Sequence, residues 1–420
     1  MSFQQALSGL NASSQNLDVI GNNVANANTV GAKASRAEFA DMYAKALNGG
    51  SANQVGIGVT VAAVTQQFTQ GSITSTGNSS DLAINGNGFF QVSDGSNVSY
   101  TRNGQFQVSK DGNIVTNQGL QLLGYPANAA GVIQPGAAAP LSLPTGGVSP
   151  APTTEVEMEV NLNATEGVTA PSGTVPINFN DADTYNRATS VTAYDQKGQA
   201  VAMTYYFQKS ATDTWNVYAT ANGTSVATDG SGNPAPITTV TFDASGSKPI
   251  SPTDPVSFDV PASTNSAGAA TLPITGVQLD LSGTTEYGSP FAITNLSQDG
   301  YAAGQVTGLS IDKTGVVMAS YSNGQSKAAG QVELATFRNP QGLQSEGGNL
   351  WTNTNDSGTP IVGTPGSANL GVLQSGAVEE SNVDLTSELV NMITAQRTYQ
   401  ANAQTIKTED QIMQTLVNLR

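Results

Sequence analysis

The sequence predicts a multidomain α+β protein, with a helix at each end of the chain paired in coiled-coil fashion and nested, discontinuous all-β domains between them. Three observations predict it. Apolar residues recur at steps of four and three at both ends of the chain. Through the middle the period falls to two, with Gly, Asn and Asp at the turns. A similar strand–turn–strand unit also stands on either side of a long insert. A 3.5-residue period makes a narrow helical seam suited to a neighbouring helix, whereas alternation marks half-buried strands.

The first helix is expected over residues 3–27. Phe3, Leu7, Leu10, Leu17 and Val24 form its stripe, with Ser14 and Gly21 as weak rungs. Ser2 and Gln5 have capping-box spacing. Asp18 is the only charge in the first 32 residues, and Asn dominates the polar positions. Asn is a mediocre helix former and Gly9 and Gly21 weaken the segment further, so alone in water this helix is marginal. It is built to fold against something.

Residues 31–71 read as a connector. A turn at 28–31 precedes it, a short helix fits 34–47, and Asn48-Gly49-Gly50-Ser51 breaks that helix before a strand at 55–64. Short strands are then expected at 81–84, 88–92, 99–101 and 106–108. The turn Lys110-Asp111-Gly112-Asn113 leads into Ile114 and Val115. The same kind of unit returns as a strand at 309–311, the turn Asp312-Lys313-Thr314-Gly315 and a strand at 316–318. These two parts predict one inner β domain, residues 72–145 and 297–379, interrupted by an outer β domain at 146–296. Residues 127–152, rich in Ala, Gly and Pro, read as a linker. Within the insert, Val201, Met203, Tyr205 and Phe207 share one face of a strand, and Trp215, Val217 and Ala219 share one face of the next. Frequent Pro and Gly exclude a long helix there, which predicts a sandwich or barrel.

The Gly-rich stretch 358–376 leads to the terminal helix. Its stripe runs through Leu385, Leu389, Met392, Tyr399, Ile406, Met413 and Val417. Ser381 or Asp384 is placed to cap it. Glu379, Glu380, Asp384 and Glu388 lie toward the positive end of its dipole, with Lys407 and Arg420 toward the negative end. Together with the first helix it forms a helical assembly domain, residues 1–30 and 380–420. The two stripes can close on each other within one chain or wait for neighbouring subunits, and their narrowness and the marginal first helix favour the neighbours.

Composition excludes several classes. The 420 residues carry a net charge of −16, against nucleic acid or an anionic membrane surface as partner. Charged residues make up 11%, where ~25% is usual. No apolar run reaches the ~18–20 residues of a membrane span, and no basic-then-apolar leader opens the chain. There is no Cys and no His, so thiolate zinc sites, thiol nucleophiles and the commonest general base are all missing. The chain is read as a non-enzyme with no cofactor and no metal. Asp181 and Asp183 are the best pair for carboxylate catalysis, and solvated turn positions explain them more simply. Asp229-Gly230-Ser231-Gly232-Asn233 could suggest a calcium-binding adhesin, but it lacks the spaced carboxylates and closing Glu of an EF-hand loop. Gly56 and Gly58, or Gly86 and Gly88, complete no nucleotide motif.

Several segments carry a family resemblance. Ser8-Gly9-Leu10-Asn11-Ala12, Leu17-Asp18-Val19-Ile20-Gly21-Asn22-Asn23-Val24-Ala25-Asn26, Thr29 and Gly31 resemble the N-terminal signature of bacterial flagellar rod and hook proteins. Asp81-Leu82-Ala83-Ile84, Gly88-Phe89-Phe90, Thr101-Arg102-Asn103-Gly104-Gln105-Phe106 and Gly119 to Tyr125 resemble the family's inner β region. Ser381-Asn382-Val383-Asp384-Leu385, Ala395-Gln396-Arg397, Tyr399-Gln400-Ala401-Asn402-Ala403 and Lys407 resemble its C-terminal helix. One departure is Ala32, where the family usually carries an aromatic.

The large insert points to the hook members of the family; a distal rod-like subunit is the alternative. The resemblance implies a homopolymer built through the terminal helices: a curved tube acting as a universal joint between rod and filament. It also implies contact with rod, hook-cap and hook–filament junction proteins, export by the flagellar type III apparatus without a cleaved signal, and an extracellular location without membrane insertion. Glycine-containing links near 48–51, 127–152 and 358–376 are the expected hinges.

Overall fold

A computed structural model describes residues 2–42, 56–128, 130–169 and 177–418. The chain divides into two compact units. One comprises Met1–Thr145, Thr307–Ser320 and Ser326–Arg420; the other comprises Gly146–Val306 and Tyr321–Gln325.

The first unit contains both long helices, α1 (Ser2–Ala25) and α2 (Leu385–Asn418). Gln5 donates its side-chain amide to the Gly56 carbonyl, so it is spent on the connector rather than on a capping box. Asp384 caps α2: its Oδ1 accepts from the Thr386 and Ser387 amides at 2.9 and 3.1 Å. Those amides hold the Asp384 carboxyl below its ordinary value. Lys407 stands about three turns from the end of α2, too far to meet a dipole effect confined to the last turn. Arg420 and the 48–51 break lie outside the described residues.

The connector differs from expectation. Residues 35–42 form a strand, β1 (Ser35–Met42), paired antiparallel with β2 (Gly58–Gln66). The Val-containing β2 would otherwise lack a strand partner, and filling that ladder outweighs the helix propensity of Arg36, Ala37 and Glu38.

Besides small two-stranded pairings, this unit contains a 13-stranded sheet that joins segments from either side of the insert. Ser326–Val332 pairs with Gln121–Pro126, which pairs with Phe89–Ser93, then Val98–Thr101, then Leu350–Thr352. Strands from either side of the insert therefore share one hydrogen-bonded sheet. Phe89, Tyr100, Phe337 and Trp351 are buried together, with edge-to-face contacts such as Tyr100–Phe337 at 4.7 Å.

Two expected hinges are tied down. In 127–152, Leu141 is buried; its amide donates to the Leu122 carbonyl and its carbonyl accepts from Ile114. In 358–376, Val372–Ser375 pairs with Leu82–Asn85. Gly371 passes so close that a Cβ there would lie 2.5 Å from the Asn85 carbonyl oxygen. Gly371 thus serves close backbone approach.

The second unit is a sandwich. Its four-stranded sheet orders Val256–Val260, Ile274–Asp280, Glu155–Asn161 and Ala292–Gln298; its six-stranded sheet is built around Ala200–Ala211 and Thr214–Ala221. Val201, Met203, Tyr205, Phe207, Trp215, Val217 and Ala219 all join one buried core with residues of the other sheet, as their alternation predicts. Lys209 is buried beside it, 3.0 Å from Glu286 and 5.3 Å above the Trp215 ring. Asp229 accepts from the Ser231 and Asn233 amides, and Asp181 accepts from the Asp183 amide; both carboxylates are spent in turns.

Candidate assembly interface

The candidate assembly surface is the helix pair. Gly9 faces Asn402, and Asn23 donates to Glu388 Oε1 at 3.3 Å, fourteen residues further along α1 and fourteen back along α2. The helices are therefore antiparallel. A Cβ at Gly9 would sit 2.8 Å from the Asn402 amide nitrogen, so glycine permits this approach. The helix residues that are buried are Ala6, Ala12, Ser13, Ile20 and Asn23 on α1 and Ala395 on α2. The seam within the chain is thus made mainly of small and polar side chains.

The predicted stripes are split between the flank of this seam and the outer face. Phe3 is 48% exposed, Leu7 43%, Leu385 and Leu389 45% each, and Tyr399, Met413 and Val417 are exposed as well. Leu10, Leu17, Val24, Met392 and Ile406 are half-buried. On a helix at 100° per residue, the α1 stripe is rotated by roughly a third of a turn from the positions facing α2. Val390, Ile393 and Ile412, absent from the predicted stripe, are also exposed on α2. Exposed apolar side chains in this number on two neighbouring helices make the pair the candidate contact surface.

The roots of both helices are held by a cluster of charges that sequence patterning did not reveal. Lys33 Nζ lies 2.6 Å from Glu379 Oε1, and Arg102 Nη1 lies 3.0 Å from Glu379 Oε2; the Lys33 and Glu379 side chains are fully buried. Lys33 also donates to the Thr69 carbonyl, and the Gly71 amide donates to Glu379 Oε1. Burial pushes the Lys33 ammonium below its ordinary value; Glu379 opposes the shift, and nearby Arg102 adds to it. The Arg102 guanidinium stacks 5.2 Å above the Phe89 ring. Glu379, expected to serve the α2 dipole, is consumed here instead.

Asparagines complete the anchor. Asn23 Nδ2 donates to the Ser35 carbonyl and its Oδ1 accepts from the Ser35 amide. Asn382 accepts from the Ala34 amide and donates to the Gln67 carbonyl. Gly31 turns the chain at φ +72°, its amide donating to the Glu379 carbonyl. The signal available in the sequence was an unusual density of Asn at helix ends, but only its partners reveal its purpose. Ala32 is buried and lines a cleft of about 300 Å³ beside Asn26, Gln66 and Trp351.

Four family descriptions match the chain in order. They are flagella basal body rod protein at residues 3–33, flagellar hook protein FlgE/F/G D1 domain at 83–177, flagellar basal body protein FlaE D2 domain at 161–301, and flagellar basal body rod FlgEFG protein C-terminal at 374–419. These matches, with terminal helices enclosing interrupted β units, define a flagellar rod-and-hook class protein.

Full-length relatives narrow the class. The flagellar hook protein FlgE of Salmonella typhimurium is 44% identical over 426 residues, covering 100% of both chains. That of Escherichia coli K12 is 43% identical, again over 100% of both, and that of Borreliella burgdorferi 32%, over 100% of this chain and 99% of the relative. The crystal structure of Helicobacter pylori flagellar hook protein FlgE2 shares the fold, with a TM-score of 0.50 at 17% identity, over 72% of this chain and 99% of the other. The chain belongs to the flagellar hook protein FlgE family.

Proposed function

We propose that this chain is the structural subunit of a bacterial flagellar hook, polymerising through its terminal helices into a curved tube that transmits torque from rod to filament. The observation that carries this reading is the helix pair that closes on small and polar residues and leaves Phe3, Leu7, Leu385, Leu389, Met413 and Val417 facing outward. Burying such side chains against neighbours contributes roughly 1.5–3 kcal/mol each, enough in sum to hold a polymer.

The division of labour follows. Residues 1–30 and 380–420 form the assembly domain, 31–71 the connector, 72–145 with 297–379 the inner β domain, and 146–296 the outer one. The Lys33–Glu379–Arg102 cluster couples the helices to the inner sheet, so load on one reaches the other. A surface with few charges limits register-fixing ion pairs, which suits neighbours that shift past one another as a bent tube rotates. The role is mechanical, at the extracellular hook, with rod, cap, junction and export proteins as further partners.

The test is electron microscopy of the purified chain under polymerising conditions. Unmodified protein should form tubes, while Leu7→Asp and Leu389→Asp should fold, with unchanged β-sheet circular dichroism, and form none. Normal tubes from both variants would show that the stripes are not the interface.

A further inference from the structure

The sequence holds six Asn-Gly pairs, and five of them lie among the described residues, at Asn85, Asn87, Asn103, Asn222 and Asn323. Asn followed by Gly is the pair most open to loss of its side-chain amide. The next backbone nitrogen can reach the side-chain carbonyl carbon, and Gly brings no Cβ to obstruct it. The fold treats the five pairs differently. Asn222 accepts from the Ala202 amide and donates to Ser263 Oγ, each at 2.9 Å. Asn323 accepts from the Gln325 amide and donates to the Ala302 carbonyl, and the Gly324 amide donates to the Tyr321 carbonyl. Asn103 Oδ1 accepts from the Gln105 amide, and Gly104 is pressed against the Leu82 carbonyl. At Asn85 the attacking nitrogen itself is engaged, because the Gly86 amide donates to Gln70 Oε1 at 3.0 Å.

Asn87 is the exception. It is exposed, and among the described residues neither its carboxamide nor the Gly88 amide has a hydrogen-bond partner. Only its carbonyl is held, accepting from the Gly371 amide at 2.7 Å. Gly88 takes φ +129°, a conformation that residues with a Cβ rarely adopt, so the reactive pair keeps its glycine for a structural reason. We propose that Asn87 is a site of spontaneous deamidation in the folded protein, selected over the other four pairs by its unbound carboxamide and the unbound amide that follows it.

The reaction needs only the chain and solvent water. The Gly88 nitrogen attacks the Asn87 side-chain carbonyl carbon. The bond from that carbon to Nδ2 breaks, and Nδ2 leaves as ammonia with the Gly88 amide proton. Water then opens the cyclic imide at either carbonyl, which leaves an aspartyl or an isoaspartyl residue at position 87. Both products add a carboxylate to a chain whose net charge is already −16. The isoaspartyl form also lengthens the main chain by one carbon and moves the backbone link off the carbonyl that Gly371 holds. There is little room for that change, since a Cβ at neighbouring Gly86 would already lie 3.0 Å from the Gly371 Cα. Beside this contact Leu82–Asn85 pairs with Val372–Ser375, the segment that leads toward α2. Conversion therefore loosens that pairing.

The test is ageing of the full chain. Purified protein is held folded, warm and at mildly alkaline pH, where the attacking amide loses its proton more readily, and is sampled by peptide mapping with mass spectrometry. Conversion at Asn87 is expected severalfold ahead of Asn85, Asn103, Asn222 and Asn323, and that lead should vanish in denaturant. No conversion at Asn87, conversion as fast at any of the other four, or a lead that persists in denaturant overturns the proposal. The second variant, Asn87→Gln, keeps an amide whose ring closure is slower because its side chain is longer. Backbone hydrogen exchange across Val372–Ser375 should quicken on ageing in the parent and stay constant in this variant. Equal ageing of the two overturns the loosening of the pairing.

Discussion

The helix pair and the outer sandwich use apolar residues in opposite ways. In the sandwich, Trp215, Tyr205, Phe207 and Val217 point inward from one sheet onto the other and none retains solvent contact. On the helices, Phe3, Leu7, Leu385, Leu389, Met413 and Val417 stay exposed, and the seam within the chain is built largely on Gly9, Ala12, Asn23, Ala395 and Asn402. One region completes its core alone; the other leaves part of its apolar surface in solvent. The difference teaches that apolar periodicity reports a buried surface without saying whose surface buries it.

The contrast can be broken at several points. The largest effect is expected at the anchor. Glu379→Ala leaves Lys33 and Arg102 buried without a counter-charge and should cost about 3–5 kcal/mol. In calorimetry this should appear as a lowered transition of the unit that holds the helices, with the sandwich transition unmoved. Trp215→Ala opens a cavity in the sandwich and removes the ring beneath Lys209, for about 3–5 kcal/mol in the opposite unit. Coincident shifts of both transitions in either variant would erase the distinction between the regions.

Smaller changes sharpen it. Asp384→Ala removes the α2 cap and should fray the first turn of the helix, read as a small loss of helical circular dichroism. The cap depends on ionised Asp384, whose folded value is depressed. Its contribution is thus complete above the ordinary carboxylate value and lost as pH falls through the lower, folded one.

Glu333 behaves in the reverse sense. It is buried, accepts from the Tyr125 hydroxyl at 2.9 Å, and burial raises its carboxyl above the ordinary value. The folded state therefore holds its proton more tightly, and stability falls as pH rises from the ordinary value through the raised one. Glu333→Gln keeps an acceptor for Tyr125 without the charge, so its melting temperature relative to the parent should increase between pH 4 and pH 7. A gap independent of pH would refute that account. Last, Leu389→Asp on the exposed face should change monomer stability by less than about 0.5 kcal/mol while abolishing polymer.

Much of the fold was legible because local rules and packing agree. The alternation Val201, Met203, Tyr205, Phe207 holds in the buried face of one strand, and Asp384 caps the helix it precedes. The turn at Asp312 to Gly315 closes where its residues predict, with the Asp312 carboxylate accepting from Thr314 and Val316. Legibility failed where a distant partner decides. Ser35–Met42 becomes a strand because β2 needs a neighbour. Leu141 is buried although its surroundings are aperiodic, because it crosses a strand contributed by residues 121–126. Gly371 lies where two backbones nearly touch, a requirement that resembles flexibility when read along one dimension.

The sequence by itself determined the helical ends, the nested β segments between them, the inward faces of the sandwich and the family to which the chain belongs, since each is written in residue type at short spacing. Only the tertiary structure decided which helix face turns inward and that Lys33, Arg102 and Glu379 converge from positions up to 346 residues apart. Helical periodicity defines faces but does not rank them. The choice between a tight polar seam and an apolar one is made by how closely two backbones can approach, a property of the pair rather than of either strand of sequence.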